Sequence, residues 1–170
     1  MKRLLVLTAV VAMTALVTPA ANAAPASFTI RGSGETTDVG HPAGGDRKAS
    51  VHARQFSDGT VGGRVRITVH QNGSIYSRIR GDVVCIKATA AVTGEQGYEV
   101  RYVVTSASGG AAVAPGRYDS LFVRHDPAGD QTDQVFPNND WTNPACGLND
   151  LSVDWDNVTK GDIKVLGVLA

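Results

Sequence analysis

The sequence predicts an all-β protein: a single antiparallel β-sandwich or β-barrel with a long irregular loop near the C-terminus. Three observations predict it. Apolar residues alternate with polar ones along several short segments, the period-two pattern of half-buried strands. Turn signals separate those segments, mostly at intervals of roughly 8–12 residues, as in sandwiches and barrels. Beyond the first two dozen residues, Gly, Ala, Val and Thr are frequent and Leu, Met, Lys and Glu are scarce. That usage favours strands and turns over helices.

Taken in order, residues 27–31 (Ser-Phe-Thr-Ile-Arg) form a first short strand with Phe28 and Ile30 on one face. Residues 32–46 carry five Gly and one Pro and read as an exposed loop. Residues 48–57 alternate, with Ala49, Val51 and Ala53 on one side and His52 and Arg54 on the other. Asp58-Gly59 then turns the chain, because this pair tolerates the positive φ that hairpins need. Residues 61–70 repeat the alternation more cleanly: Val65, Ile67 and Val69 oppose Arg64, Arg66, Thr68 and His70. Asn72-Gly73 is a second hairpin signal. Residues 75–79 and 82–91 read as strands interrupted at Gly81, and residues 94–97 as a turn. Residues 98–105 place Tyr98, Val100, Tyr102 and Val104 on one face. A small-residue loop over 109–116 precedes a strand over 118–125. From 126 to 157 the pattern breaks, with three Pro and many Asp and Asn, and alternation returns only over 162–166.

The first 23 residues have a different character. A basic start (Lys2, Arg3) precedes an apolar run from Leu4 to Val17 and the small-residue site Ala21-Asn22-Ala23. This is the tripartite order of a cleavable signal peptide. The run is 14 residues long, whereas a membrane span needs about 20. The expected product is a secreted domain, residues 24–170, with no membrane attachment after cleavage. Its length suits one hydrophobic core and is short for two.

The whole chain carries 16 basic and 16 acidic side chains. Without Lys2 and Arg3 the balance is 14 against 16, so no nucleic-acid partner is expected, since such binding rests on concentrated positive charge. Cys85 and Cys146 are the only cysteines. In an oxidising compartment they are expected to form a structural disulfide, pinning the late loop to the sheet. Neither belongs to a C-x-x-C pair of redox type.

Four constellations bear on chemistry. Asp126, Asp130 and Asp133 crowd oxygen ligands into one loop, as Ca²⁺ requires, but the ordered Ca²⁺-loop pattern is absent. A solvated turn is the competing reading. Asn138, Asn139, Asp140 and Trp141, with Trp155 further on, resemble the aromatic-plus-amide sets that hold sugar rings. Alternatively both Trp side chains plug the core, since the chain has only ten aromatic residues. His52 and His70 lie on polar strand faces where, with Asp82, they raise the question of a Zn²⁺ site, although their spacing matches no metal motif. Arg64, Arg66, Arg78 and Arg80 line one sheet face, where pairing with Glu99 and Asp82 is expected.

The segments Ala49-Ser-Val-His-Ala53, Gly63-Arg-Val65 and Gly81-Asp-Val-Val-Cys-Ile86, with the Ala-rich stretch that follows to Gly94, resemble exported β-rich domains of actinobacteria. The resemblance covers about a quarter of the chain. It implies a secreted sandwich or barrel and supplies no site residues.

Neither a G-x-S-x-G elbow nor a His-Glu-x-x-His motif occurs, and no pair of carboxylates stands out as general acid and base. The expectation is a secreted, non-enzymatic domain that recognises a carbohydrate or another cell-envelope component. The alternatives are an inhibitor-like domain that binds another secreted protein, and a small hydrolase built on His125, Asp126 and a Ser.

Overall fold

The computed structural model describes residues 26–38, 45–90, 96–111, 113–125, 131–133, 141–147 and 156–169. Eight antiparallel strands follow one another around a closed barrel. They are β1 (Ala26–Asp38), β2 (Gly45–Phe56), β3 (Val61–Gln71), β4 (Ser74–Ala90), β5 (Gln96–Gly109), β6 (Tyr118–Arg124), β7 (Gln131–Asp133) and β8 (Asp156–Gly167). Each pairs with its sequence neighbours, and β1 also pairs with β8, from Phe28 opposite Gly167 to Thr36 opposite Val158. Between a sandwich and a barrel, the structure is a barrel. The proposed leader, residues 1–23, lies outside the described residues.

Alternation builds the lumen. Phe28 and Ile30, Ala49, Val51 and Ala53, Val65 and Ile67, Ile79 and Val83, Val100 and Val104, Leu121 and Val123, and Ile163 all point inward and are buried. Each fully buried Val, Leu, Ile or Phe stabilises by about 1.5–3 kcal/mol relative to its exposed state. At Gly81 a large neighbour takes the space a side chain would need: a Cβ there would overlap the Tyr102 ring. Tyr102 lies wholly inside and donates its hydroxyl to Asp119 Oδ2 at 2.5 Å, so this buried polar group has a partner. Phe28 and Tyr98 close the lumen nearer the other rim, their ring centroids 5.0 Å apart. Eight-stranded barrels of this width either pack with side chains or hold one small ligand. This one packs.

Both hairpin signals act as expected. Asn72 and Gly73 adopt φ of 51° and 74°, the left-handed pair that joins two strands in a two-residue turn. At the other hairpin, Asp58 Oδ1 accepts from Thr60 N at 2.9 Å and from Thr60 Oγ1 at 2.6 Å.

Three expectations are corrected. The Gly-rich stretch over 32–46 is not one loop: β1 continues to Asp38 and β2 begins at Gly45. Gly32, at φ 146°, passes so close to the Asp162 carbonyl that a side chain there would collide with it. Its glycine marks close strand approach rather than a turn. The interruption at Gly81 is likewise no break, because β4 runs through it with only a register shift. The irregular stretch after Asp126 contains the three-residue strand β7, too short to show a period.

Candidate functional site

Two bulges in the β4–β5 ladder set up the outer surface. At Val83/Cys85 the register shifts, so Val84 is an extra residue on β4. Val83 and Ile86 are buried inside while Val84 and Cys85 are both half-buried outside. Without that extra residue Cys85 would point inward with Val83. At Arg80/Gly81 the shift adds Thr105 to β5, so that Thr105 and Ser106 are both exposed on the outer wall.

Cys85 forms a disulfide with Cys146, with Cα atoms 5.9 Å apart. The segment Trp141–Gly147 thereby becomes a strap across the outside of β4, β5 and β6. Tyr118 N donates to Trp141 O at 2.9 Å at its start. Arg101 Nε donates to Asn143 O at 2.8 Å in the middle. Gly147 N donates to Glu99 Oε2 at 2.6 Å at its end. Beneath the strap, Arg101 and Glu99 are buried on what would otherwise be the polar face of β5. Ser120 Oγ links them, donating to Glu99 Oε1 at 2.8 Å and accepting from Arg101 Nη1 at 3.0 Å. Glu99 therefore does not pair with the exposed arginines as the sequence suggested; it anchors the strap.

The remaining outer wall, over β1 to β5, is basic. Arg31, Arg54, Arg64, Arg66, Arg78 and Arg80 are all exposed. Register places Arg66 directly opposite Arg80, and Arg64 between His52 and Asp82. Asp82 meets Arg64 at only 3.9 Å, with both side chains mostly in solvent. Such a pair contributes little, ~0–1 kcal/mol. Arg64, Arg66, Arg80, Asp82, Thr105 and Ser106 line a shallow depression of about 290 Å³ in this wall. Arg54 Nε donates to His52 Nε2 at 2.9 Å. Partial burial first, then the charges of Arg54 and Arg31, hold the His52 imidazole below its usual pKa. Near neutral pH it is therefore an uncharged acceptor inside a ring of cations. At the rim, Glu35 accepts from Lys48 Nζ at 2.9 Å and lies 3.7 Å from Lys160 Nζ. Its carboxyl is held below the ordinary range, chiefly by the Lys48 hydrogen bond.

The residues singled out from sequence divide as follows. Trp141 is half-buried at the start of the strap, and its indole Nε1 is buried without a hydrogen bond. Asp133 lies in β7, opposite Phe122. Asn138, Asn139, Asp140, Trp155, Asp126 and Asp130 lie outside the described residues. His52 and His70 are not brought together: His70 pairs with Asp46, six positions along β3 from the residue opposite His52, or about 20 Å at strand rise. Among the described residues no three His, Cys, Asp or Glu side chains cluster as metal ligands. Thr105 and Ser106 were missed, because a bulge leaves no mark in the alternation of a single strand.

No protein-family model matches the chain, and no curated protein or solved structure is detectably similar to it.

Proposed function

We propose that this chain is an exported, non-enzymatic recognition domain that engages cell-envelope glycan material through the outside of its barrel. One observation carries the reading: among the described residues the inward side chains form one buried apolar cluster, while the outer wall offers a depression lined by arginines and by two hydroxyls from a bulge. Residues re-aimed outward by a bulge are placed for contact rather than for the core. The disulfide is compatible with an extracellular setting, and the basic-apolar-small start of the chain supplies a route to it. Trp141, half-buried at the start of the strap, offers an aromatic face for sugar contact, and the sequence adds Asn138, Asn139, Asp140 and Trp155 as candidate partners.

The test is co-sedimentation of the disulfide-intact protein with isolated cell walls and insoluble polysaccharides. Retention in the pellet is expected, weakened by Trp141→Ala or by substitution of the depression arginines. A protein that stays in the supernatant with every wall and polysaccharide would sink the proposal. Labelling of the folded protein by serine-reactive probes would instead favour the hydrolase alternative built around His125.

A second reading has its own support. The strap is held by a disulfide and by hydrogen bonds at its start, middle and end, so a protein partner would meet a pre-ordered loop, which lowers the entropic cost of docking. Capture of a specific secreted protein by the wild type, lost when Cys85 and Cys146 are both replaced by Ser, would favour that inhibitor-like role.

A further inference from the structure

We propose that the outer wall of β3–β5 binds a linear polymer carrying phosphodiester charges, with one anionic group seated in the depression between Arg64, Arg66 and Arg80. The proposal rests on the recognition reading above and names the chemistry of its ligand.

The argument begins with charge that the fold places at a cost. Like charges directly opposite one another on neighbouring strands are destabilising, yet Arg66 faces Arg80 across β3 and β4. Neither has a carboxylate partner among the described residues, and Arg78 sits two positions from Arg80 on the same face. Asp82 is the one carboxylate lining the depression, and at 3.9 Å from Arg64 it only partly offsets the group. Nothing in packing requires these side chains, since their exposed face covers no core.

Hydroxyls supply the second element. Thr105 and Ser106 both reach the depression because of the bulge. Guanidinium groups beside hydroxyl donors form the usual cradle of a phosphate oxygen. The third element is spacing. Residues two apart on a strand are about 6.6 Å apart, and neighbouring strands about 4.8 Å. The cationic rows therefore extend as a track from Arg78 and Arg80 through Arg66 and Arg64 to Arg31 and Arg54, which suits a chain of repeated charges better than a single small anion. Among the described residues Asp82 is the carboxylate that interrupts this track, while Glu99 and Asp119 are buried away from it.

The disulfide-intact protein is to be titrated with poly(glycerol phosphate), with neutral dextran and with duplex DNA at several salt concentrations. Binding to poly(glycerol phosphate) alone is expected, with log K falling against log salt with a slope of about −4, as for a flexible strand meeting the six arginines of the track. The double variant Arg66→Ser/Arg80→Ser is expected to bind at least tenfold more weakly, with a shallower salt slope. Its melting temperature should be equal to or above that of wild type, because a repulsion has been removed; this guards against misreading a folding defect. Arg66→Lys/Arg80→Lys is expected to keep the salt slope.

Equal binding of neutral dextran, unchanged binding by the Ser double variant, or DNA binding as tight as that of the phosphate polymer would overturn the inference. If poly(glycerol phosphate) is ignored while cell walls still retain the protein, the inference falls and the recognition reading stands. If neither binds, both fall.

Discussion

Arg101 shows how a single side chain reverses the expectation drawn from its position. It alternates with Val100 and Tyr102, so sequence assigns it to solvent, yet it is fully buried beneath the strap. Its Nε holds the Asn143 carbonyl and its Nη1 holds Ser120, which in turn donates to Glu99. Removing one member of a buried charge pair leaves the other uncompensated, at a cost of about 3–5 kcal/mol. Arg101→Ala is expected to destabilise by that order in urea unfolding. Arg66→Ala, on the same kind of alternating strand but exposed, should lie within about 0.5 kcal/mol of wild type. Sequence could not separate the two arginines, because what covers Arg101 arrives from more than forty positions away.

At the scale of elements, legibility followed the strength of local signals. β3 could be read because Val65 and Ile67 alternate with Arg64 and Arg66, and its exit because Asn72-Gly73 admits only a tight turn. The full length of β1 is hidden because Gly32 and Gly34 look like a loop to any local reading; their role is close contact with β8, where they stand opposite Ile163 and Gly161. The two bulges of β4 and β5 were invisible for the same reason. One of them turns Cys85 outward, and the strap depends on it. Replacing both Cys85 and Cys146 by Ser should lower stability by roughly 4 kcal/mol on the chain-entropy estimate for a separation of 61 residues. Hydrogen exchange should localise the loss, with the Gly147 amide, bonded to Glu99, deprotected before the amides of β2 and β3.

At the scale of the molecule, composition bounded the fold but hid its polarity. A balance near zero says nothing of where charges stand, and here six exposed arginines gather on the wall of β1–β4, with Arg117 apart, while Glu99 and Asp119 are buried elsewhere. The choice between sandwich and barrel turned on one pairing, β1 with β8, between segments at opposite ends of the chain. Such non-local closure makes the last strand indispensable. Deletion of residues 156–170 should expose the edges of β1 and β7 together. The expected outcome is aggregated or unfolded protein by size-exclusion chromatography and circular dichroism, whereas deletion of Val168–Ala170 alone should leave the barrel intact.

That same pairing fixes how the molecule would be moored. Phe28 stands opposite Gly167, and Val168 N donates to Ser27 O at 3.2 Å. Whatever leads into the first strand and whatever follows the last therefore leave side by side from one rim. A tether or neighbouring domain at either end would hold the barrel in the same orientation, with the Asn72–Gly73 hairpin at the far rim and the basic wall running lengthwise between them. A fusion partner added at either terminus would thus leave that wall open to a passing polymer.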